Sequence, residues 1–319
     1  MMFPSSPFVT NAGSLGAIGF SVRRAHAQPA TAQTFTYKTA GCEMRADVHR
    51  ASEGAAKPAL MWMHGGALIL GNRKGIMRPF HSALLEQGYV IVSIAYRLAP
   101  ETKLPAIIED VQDAWKWIHE EARRFGIDAG RIATGGASAG AYLAQMTGFC
   151  LNPRPRALVS YFGYGDIAGP WNSQPDEFYR RQPLVSREDA LTAVGTAPIS
   201  DPPQGNQRDK FYLYCRQNGL WPLLVSGHDP QTEEKWFEPY CPIRNVTAKY
   251  PPTILIHGTA DTDVPCSLSK DMDAKLAKAG VVHEFITVDG AEHRLAGATP
   301  EEVSRVASSA VEFVKAHTA

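Results

Sequence analysis

The chain is poor in cysteine and carries no excess charge of either sign. Its 319 residues include five cysteines, Cys42, Cys150, Cys215, Cys241 and Cys266. None forms a C-x-x-C pair or a Cys/His spacing that would hold zinc. An odd, sparse count also argues against a disulfide scaffold, and Cys215 with Cys241 is the one pair worth testing for a bridge. The 32 Lys and Arg balance the 32 Asp and Glu, which removes the broad basic footprint of a nucleic-acid-binding protein. A membrane span is not expected either. Met1 to Val22 lacks charge but is broken by Pro4, Pro7 and three glycines, and Ile132 to Pro153 reads as a Gly/Ala-rich turn and helix. What remains is an ordinary globular composition, 44% hydrophobic and 20% charged, with enough chain to bury a large core.

Residues 1–34 are expected to be an N-terminal extension. Ala25-His26-Ala27 looks like a small-residue cleavage site, but no Lys or Arg precedes the short apolar part, and Arg23-Arg24 follow it. The segment therefore reads as a poor secretory signal or a loose end, with a soluble, cytoplasmic location favoured over secretion.

Beyond it the periodicity alternates. Phe35–Lys38, Met44–Arg50, Ala59–Met63, Tyr89–Ala95, Arg131–Thr134, Ala157–Phe162, Thr253–His257 and Val281–Val288 read as strands. Pro79–Gln87, Leu104–Phe125, Ala139–Phe149, Ser267–Ala279 and Pro300–Ala316 read as helices. This predicts an α/β fold with a doubly wound, mainly parallel sheet covered on both faces. The core is expected over residues 35–164 and 251–319. Between them, 165–250 loses the pattern: prolines recur and aromatics crowd in, which predicts a cap or lid insertion.

The sharpest motif is Gly136-Ala137-Ser138-Ala139-Gly140, a G-x-S-x-G between a predicted strand and a predicted helix. Small neighbours there allow a strained turn that pushes a serine hydroxyl out at the sheet edge, while the following helix aims backbone N–H groups at a developing oxyanion. Upstream, His64-Gly65-Gly66-Ala67 closes a buried strand and supplies the other half of an oxyanion hole, with His64 itself pinning the loop. The expected donors are Gly65, Gly66, Ala67 and Ala139. A nucleophilic serine needs a base, and the base an orienting carboxylate. His293 follows the last strand. Asp261 lies just past the preceding strand, four residues after His257, which is expected to have a packing role. Asp263 competes with Asp261 but sits beside Val264-Pro265, where capping or orienting the next turn is expected.

The order Ser138, Asp261, His293 resembles the α/β-hydrolase superfamily, and more narrowly the hormone-sensitive-lipase-like and feruloyl-esterase-like carboxylesterases. The resemblance rests on His64-Gly-Gly, Tyr96-Arg-Leu-Ala-Pro-Glu101 with Leu104-Pro-Ala106, the elbow, His257-Gly-Thr-Ala-Asp261-Thr-Asp-Val-Pro265 and Gly290-Ala-Glu-His293. It covers about residues 35–165 and 250–318. It implies the α/β-hydrolase fold, an acyl-enzyme mechanism and a small-molecule ester substrate of short or medium acyl chain or aryl type, with no metal, no other cofactor and no nucleic-acid partner. Two departures stand out. Ala67 replaces a third glycine and Leu68 an aromatic, so Leu68 is expected to reshape the acyl pocket. The insertion also follows the strand after the elbow, whereas the lipase-like cap is largely N-terminal. Rival readings are a prolyl-oligopeptidase-like peptidase or amidase, suggested by the His257 to Asp261 stretch, and a non-catalytic binding protein on the same fold.

Overall fold

Among the described residues, eight strands form one sheet in the order β1-β2-β4-β3-β5-β6-β7-β8. They are β1 Thr31–Thr39, β2 Glu43–Arg50, β3 Lys57–Met63, β4 Val90–Ile94, β5 Ile127–Ala137, β6 Leu158–Tyr161, β7 Thr253–Gly258 and β8 His283–Val288. The computed structural model describes residues 31–50, 55–203 and 205–319; the possible signal at Ala25 to Ala27 lies outside the described residues. β1 and β2 add an antiparallel margin, and the six strands β4-β3-β5-β6-β7-β8 pair in parallel. The first strand begins at Thr31, so the last four residues expected in the extension belong to the sheet.

Alternation along the buried strands sends side chains to two cores. Leu60, Trp62 and Ile91 face the side covered by α1 (Arg78–Glu86) and α12 (Pro300–Thr318). Met61, Met63, Val92 and Ile94 face the side covered by α2 (Leu104–Glu120), α3 (Ala122–Phe125) and α4 (Ala139–Cys150). The expected single helix from Leu104 to Phe125 is thus two. The chain turns at Glu121 (φ −93°, ψ 4°), and Phe125 comes to pack on Phe35 and Trp117 at 5.1 and 5.0 Å between ring centroids. β5 is longer than expected, because Gly135 and Gly136 pair in register with Trp62 and Met63.

The aperiodic stretch after β6 holds short helices: α5 Pro170–Ser173, α6 Glu177–Arg180, α7 Arg187–Thr192, α8 Arg208–Asn218, α9 Trp221–Ser226 and α10 Pro242–Asn245, with a 3-10 turn over Glu234–Tyr240. Regular alternation then resumes with β7, α11 (Cys266–Lys278), β8 and α12. The short helices are anchored by buried polar groups. Arg208 forks onto Glu101 at 2.7 and 2.8 Å and donates to Ile69 O at 2.6 Å, and Trp221 Nε1 donates to Ala67 O at 2.9 Å. Cys215 and Cys241 are both buried and free, so the pair considered for a bridge is not joined. Among the described residues no helix is long and apolar enough to cross a membrane.

Candidate active site

In a parallel sheet the carboxyl ends of the strands lie on one edge, where loops can gather side chains from distant parts of the chain. His64 follows β3, Ser138 follows β5, Phe162 follows β6, Asp261 lies beyond β7 and His293 beyond β8. Ser138, Phe162 and His293 line one cleft of about 330 Å³ together with Gly65, Gly66, Ala67, Tyr212, Asp263 and Arg294.

Ser138 has φ 55° and ψ −121°, a region that costs a non-glycine residue of order 1–3 kcal/mol. The surroundings hold it there: its N–H donates to Tyr161 O at 2.9 Å, and its carbonyl accepts from Ala141 and Tyr142 at 2.9 and 3.0 Å. Glycine is required at position 140 because a Cβ there would stand 2.1 Å from Met63 O. The elbow motif is therefore a packing constraint between α4 and the end of β3. Ala139 opens α4, so its N–H has no partner within the helix.

The second loop turns through Gly66 (φ 122°), Ala67 (φ 55°) and Leu68 (φ 60°). Ile69 and Leu70 donate to Gly66 O at 2.9 and 2.8 Å, which closes the turn. His64 holds the start of the loop. Its Nδ1 lies 2.8 Å from Gly65 O, Tyr96 stacks on its ring at 4.3 Å, and the Tyr96 hydroxyl donates to His64 O at 2.6 Å. Burial lowers the His64 imidazole to about 4, so the ring is neutral. Leu68 lines no part of the cleft; it is fully buried in the core, which corrects the expectation that it shapes the acyl pocket.

Asp261 and His293 meet as expected, with Nδ1 2.8 Å from Oδ2. The Asp261 Oδ1 atom accepts from the N–H groups of Asp263 and Val264 at 3.0 and 2.8 Å. His257, fully buried, lies 3.2 Å from Asp261 Oδ2 through Nε2, which also faces Val264 O at 2.9 Å. Two acceptors on one nitrogen fix that nitrogen as the protonated one. Burial alone would raise the Asp261 carboxyl, but the hydrogen bonds from His257 and His293 outweigh it and hold the group well below the usual carboxylate range.

Asp263 does not cap the following turn; Asp261 does. The Asp263 Oδ1 atom instead accepts from Tyr179 Oη at 2.7 Å, from Tyr212 Oη and from Arg216 Nη1 at 2.9 Å. Its Oδ2 faces His293 Nε2 at 3.3 Å. Arg216, with a side chain 1% exposed, also reaches Asp176 at 2.6 Å. These partners were not legible in the sequence beyond the crowding of aromatics in the insertion. Nor was Phe162, at φ 41°, whose ring meets the His293 ring edge-on at 4.9 Å. Among the described residues no hydrogen bond joins Ser138 Oγ to His293, and no group of three or more His, Cys, Asp or Glu is arranged to hold a metal ion.

The BD-FAE family model matches residues 47–276, well over half of the chain. A protein of unknown function from Staphylococcus aureus superposes with a TM-score of 0.73 at 22% identity, covering 90% of this chain and 100% of that one. The esterase of Pyrobaculum calidifontis gives 0.63 at 24%, covering 91% and 86%. Among curated proteins, the non-reducing polyketide synthase ausA of Aspergillus calidoustus is 27% identical over 91% of this chain. The chain spans only 14% of the length of that synthase and 13% and 12% of two similar ones. The chain belongs to the BD-FAE family, hormone-sensitive-lipase- and feruloyl-esterase-like α/β-hydrolases.

Proposed function

We propose that the chain is a serine hydrolase of carboxylic esters with short or medium acyl chains or aryl groups, working through an acyl-enzyme. The observation that carries this reading is the 2.8 Å contact of His293 Nδ1 with Asp261 in the cleft that Ser138 lines. Asp261 accepts a hydrogen bond from the Nδ1–H of His293, which keeps the proton on that nitrogen and presents Nε2 as the base. Ser138 Oγ attacks the ester carbonyl, and its proton passes to His293 Nε2. The oxyanion is met by the N–H of Ala139 and by those of Gly66 and Ala67, with Gly65 beside them, each donor being worth about 3–4 kcal/mol. His293 then returns the proton to the departing alcohol, and water releases the acid by the same route. Residues 165–250 serve as a cap: Tyr212 from α8 lines the cleft and Trp221 from α9 donates to the oxyanion loop.

The test is hydrolysis of p-nitrophenyl acetate by the wild type and Ser138→Ala. The variant is expected to fold and to keep less than about 1% of the activity; a few per cent or more would put the nucleophile elsewhere.

A further inference from the structure

A second hollow opens beside the nucleophile, and its chemistry differs from that of the main cleft. It is lined by Ser138, Ala67, Tyr164, Trp171, Asn172 and Trp221, among others, and its free space is about 10 Å³, close to the room needed by a single water. His293 lines the main cleft and not this hollow. In ester cleavage the histidine delivers its proton to the leaving alcohol, so the alcohol belongs on the His293 side. The hollow without His293 is then the place for the acyl group, and it has room only for a small one.

Its walls mix carbon with polar side chains, Ser138, Tyr164, Asn172 and Tyr212. Trp171 spends its indole N–H on Asp166 O at 2.9 Å, and Trp221 spends its own on Ala67 O at 2.9 Å. Asn172 is the lining residue whose side chain holds a buried atom without a partner. It is 2% exposed, and its amide oxygen is buried with no hydrogen-bond partner. An unpaired buried polar atom costs about 1–3 kcal/mol. Such an atom calls for a reason, and here it belongs to a residue that lines a hollow touching both the serine and the oxyanion loop without the histidine. A plain alkyl group placed there leaves the amide unpaired. A carboxylate, which only accepts, satisfies the amide in just one of its two orientations. A hydroxyl can donate to the amide oxygen and also accept from the amide nitrogen, so it satisfies Asn172 in either orientation of the amide.

We propose that this hollow selects short acyl groups with a hydroxyl on the second carbon, so that 2-hydroxyacyl esters such as glycolyl and lactyl esters are preferred over plain acyl esters of the same length. The inference rests on the reading of Ser138 as the nucleophile. Sites built to bond a substrate hydroxyl reject the analogue lacking it far more strongly than apolar pockets reject one methylene.

The experiment compares kcat/KM for ethyl glycolate with ethyl acetate, and for ethyl lactate with ethyl propionate, each divided by the ester's own rate of alkaline hydrolysis. The wild type is expected to favour the hydroxyacyl member of each pair by about tenfold or more. Asn172→Leu, close in size but apolar, is expected to bring both ratios to about one; Asn172→Ala serves if the leucine variant does not fold. A wild-type ratio near one, or a ratio that either variant leaves unchanged, overturns the proposal while Ser138-dependent hydrolysis stands. If Ser138→Ala hydrolyses all four esters as the wild type does, the reading of the nucleophile falls and this proposal with it.

Discussion

His293 lies between two carboxylates: its Nδ1 is 2.8 Å from Asp261 Oδ2, and its Nε2 is 3.3 Å from Asp263 Oδ2. The two acids differ in what else they do. Asp261 is held by the backbone of its own loop and by His257, whereas Asp263 is held by side chains of the insertion. Only Asp261 touches the nitrogen whose proton must stay put during the reaction. We therefore predict that Asp261→Asn lowers kcat by about 10⁴-fold, with the fold retained. Asp263→Asn should lower it by less than about 100-fold but cost roughly 2–4 kcal/mol of stability, because Arg216 is left buried with Asp176 as its one remaining carboxylate. Steady-state kinetics and urea unfolding of the two variants check this; a larger kcat loss in Asp263→Asn would exchange the roles.

Glu101 gives the Tyr96 to Glu101 stretch a physical role. Its carboxylate takes both arms of Arg208 and the N–H of Gly195 at 2.7 Å, and the same Arg208 donates to Ile69 O beside the oxyanion loop. Burial would raise this carboxyl, but the hydrogen bonds from Arg208 and Gly195 lower it overall. Glu101→Gln should cost about 3–5 kcal/mol and reduce kcat/KM as the loop loosens. Unfolding midpoints measure the first effect, and a change below about 1 kcal/mol would refute it.

Acid should unfold the protein through its neutral histidines. Burial lowers both His64 and His81 to about 4, against an unfolded value of about 6.5. Between those pH values the unfolded chain binds protons that the folded chain refuses. Stability is therefore full above about pH 6.5 and falls as the pH drops towards 4, by a few kcal/mol per histidine. The depressed carboxyl of Asp261 adds a further loss below about pH 4. His81 packs on Trp62 at 4.4 Å, away from the cleft, so His81→Leu isolates the effect. Denaturant titrations at pH 7.5 and 5 should show a smaller difference in the variant than in the wild type. Equal differences would remove the histidine explanation.

The strands and long helices were legible in the sequence because burial on both faces leaves apolar runs and amphipathic helices leave a three-to-four spacing, as in Thr253–Gly258 and Leu104–Glu120. The elbow was legible because Gly136 and Gly140 answer to local crowding. The insertion was not. Its helices run from four to eleven residues, too short for periodicity to register, and they are pinned by buried polar contacts between distant residues. Tyr179, Tyr212 and Arg216 stand 84, 51 and 47 residues before Asp263, so nothing near Asp263 announces them. Asn172 was equally silent: an asparagine among aromatics gains meaning only when its amide is seen to lack a partner.

The proposed chemistry stands on Ser138 as the nucleophile of an ester hydrolase. Its most direct test is to inactivate the protein with a fluorophosphonate and map the adduct by peptide mass spectrometry. One adduct per chain is expected, on Ser138, appearing in step with loss of esterase activity and absent from Ser138→Ala. An adduct on another residue, or full activity with Ser138 phosphonylated, would contradict it.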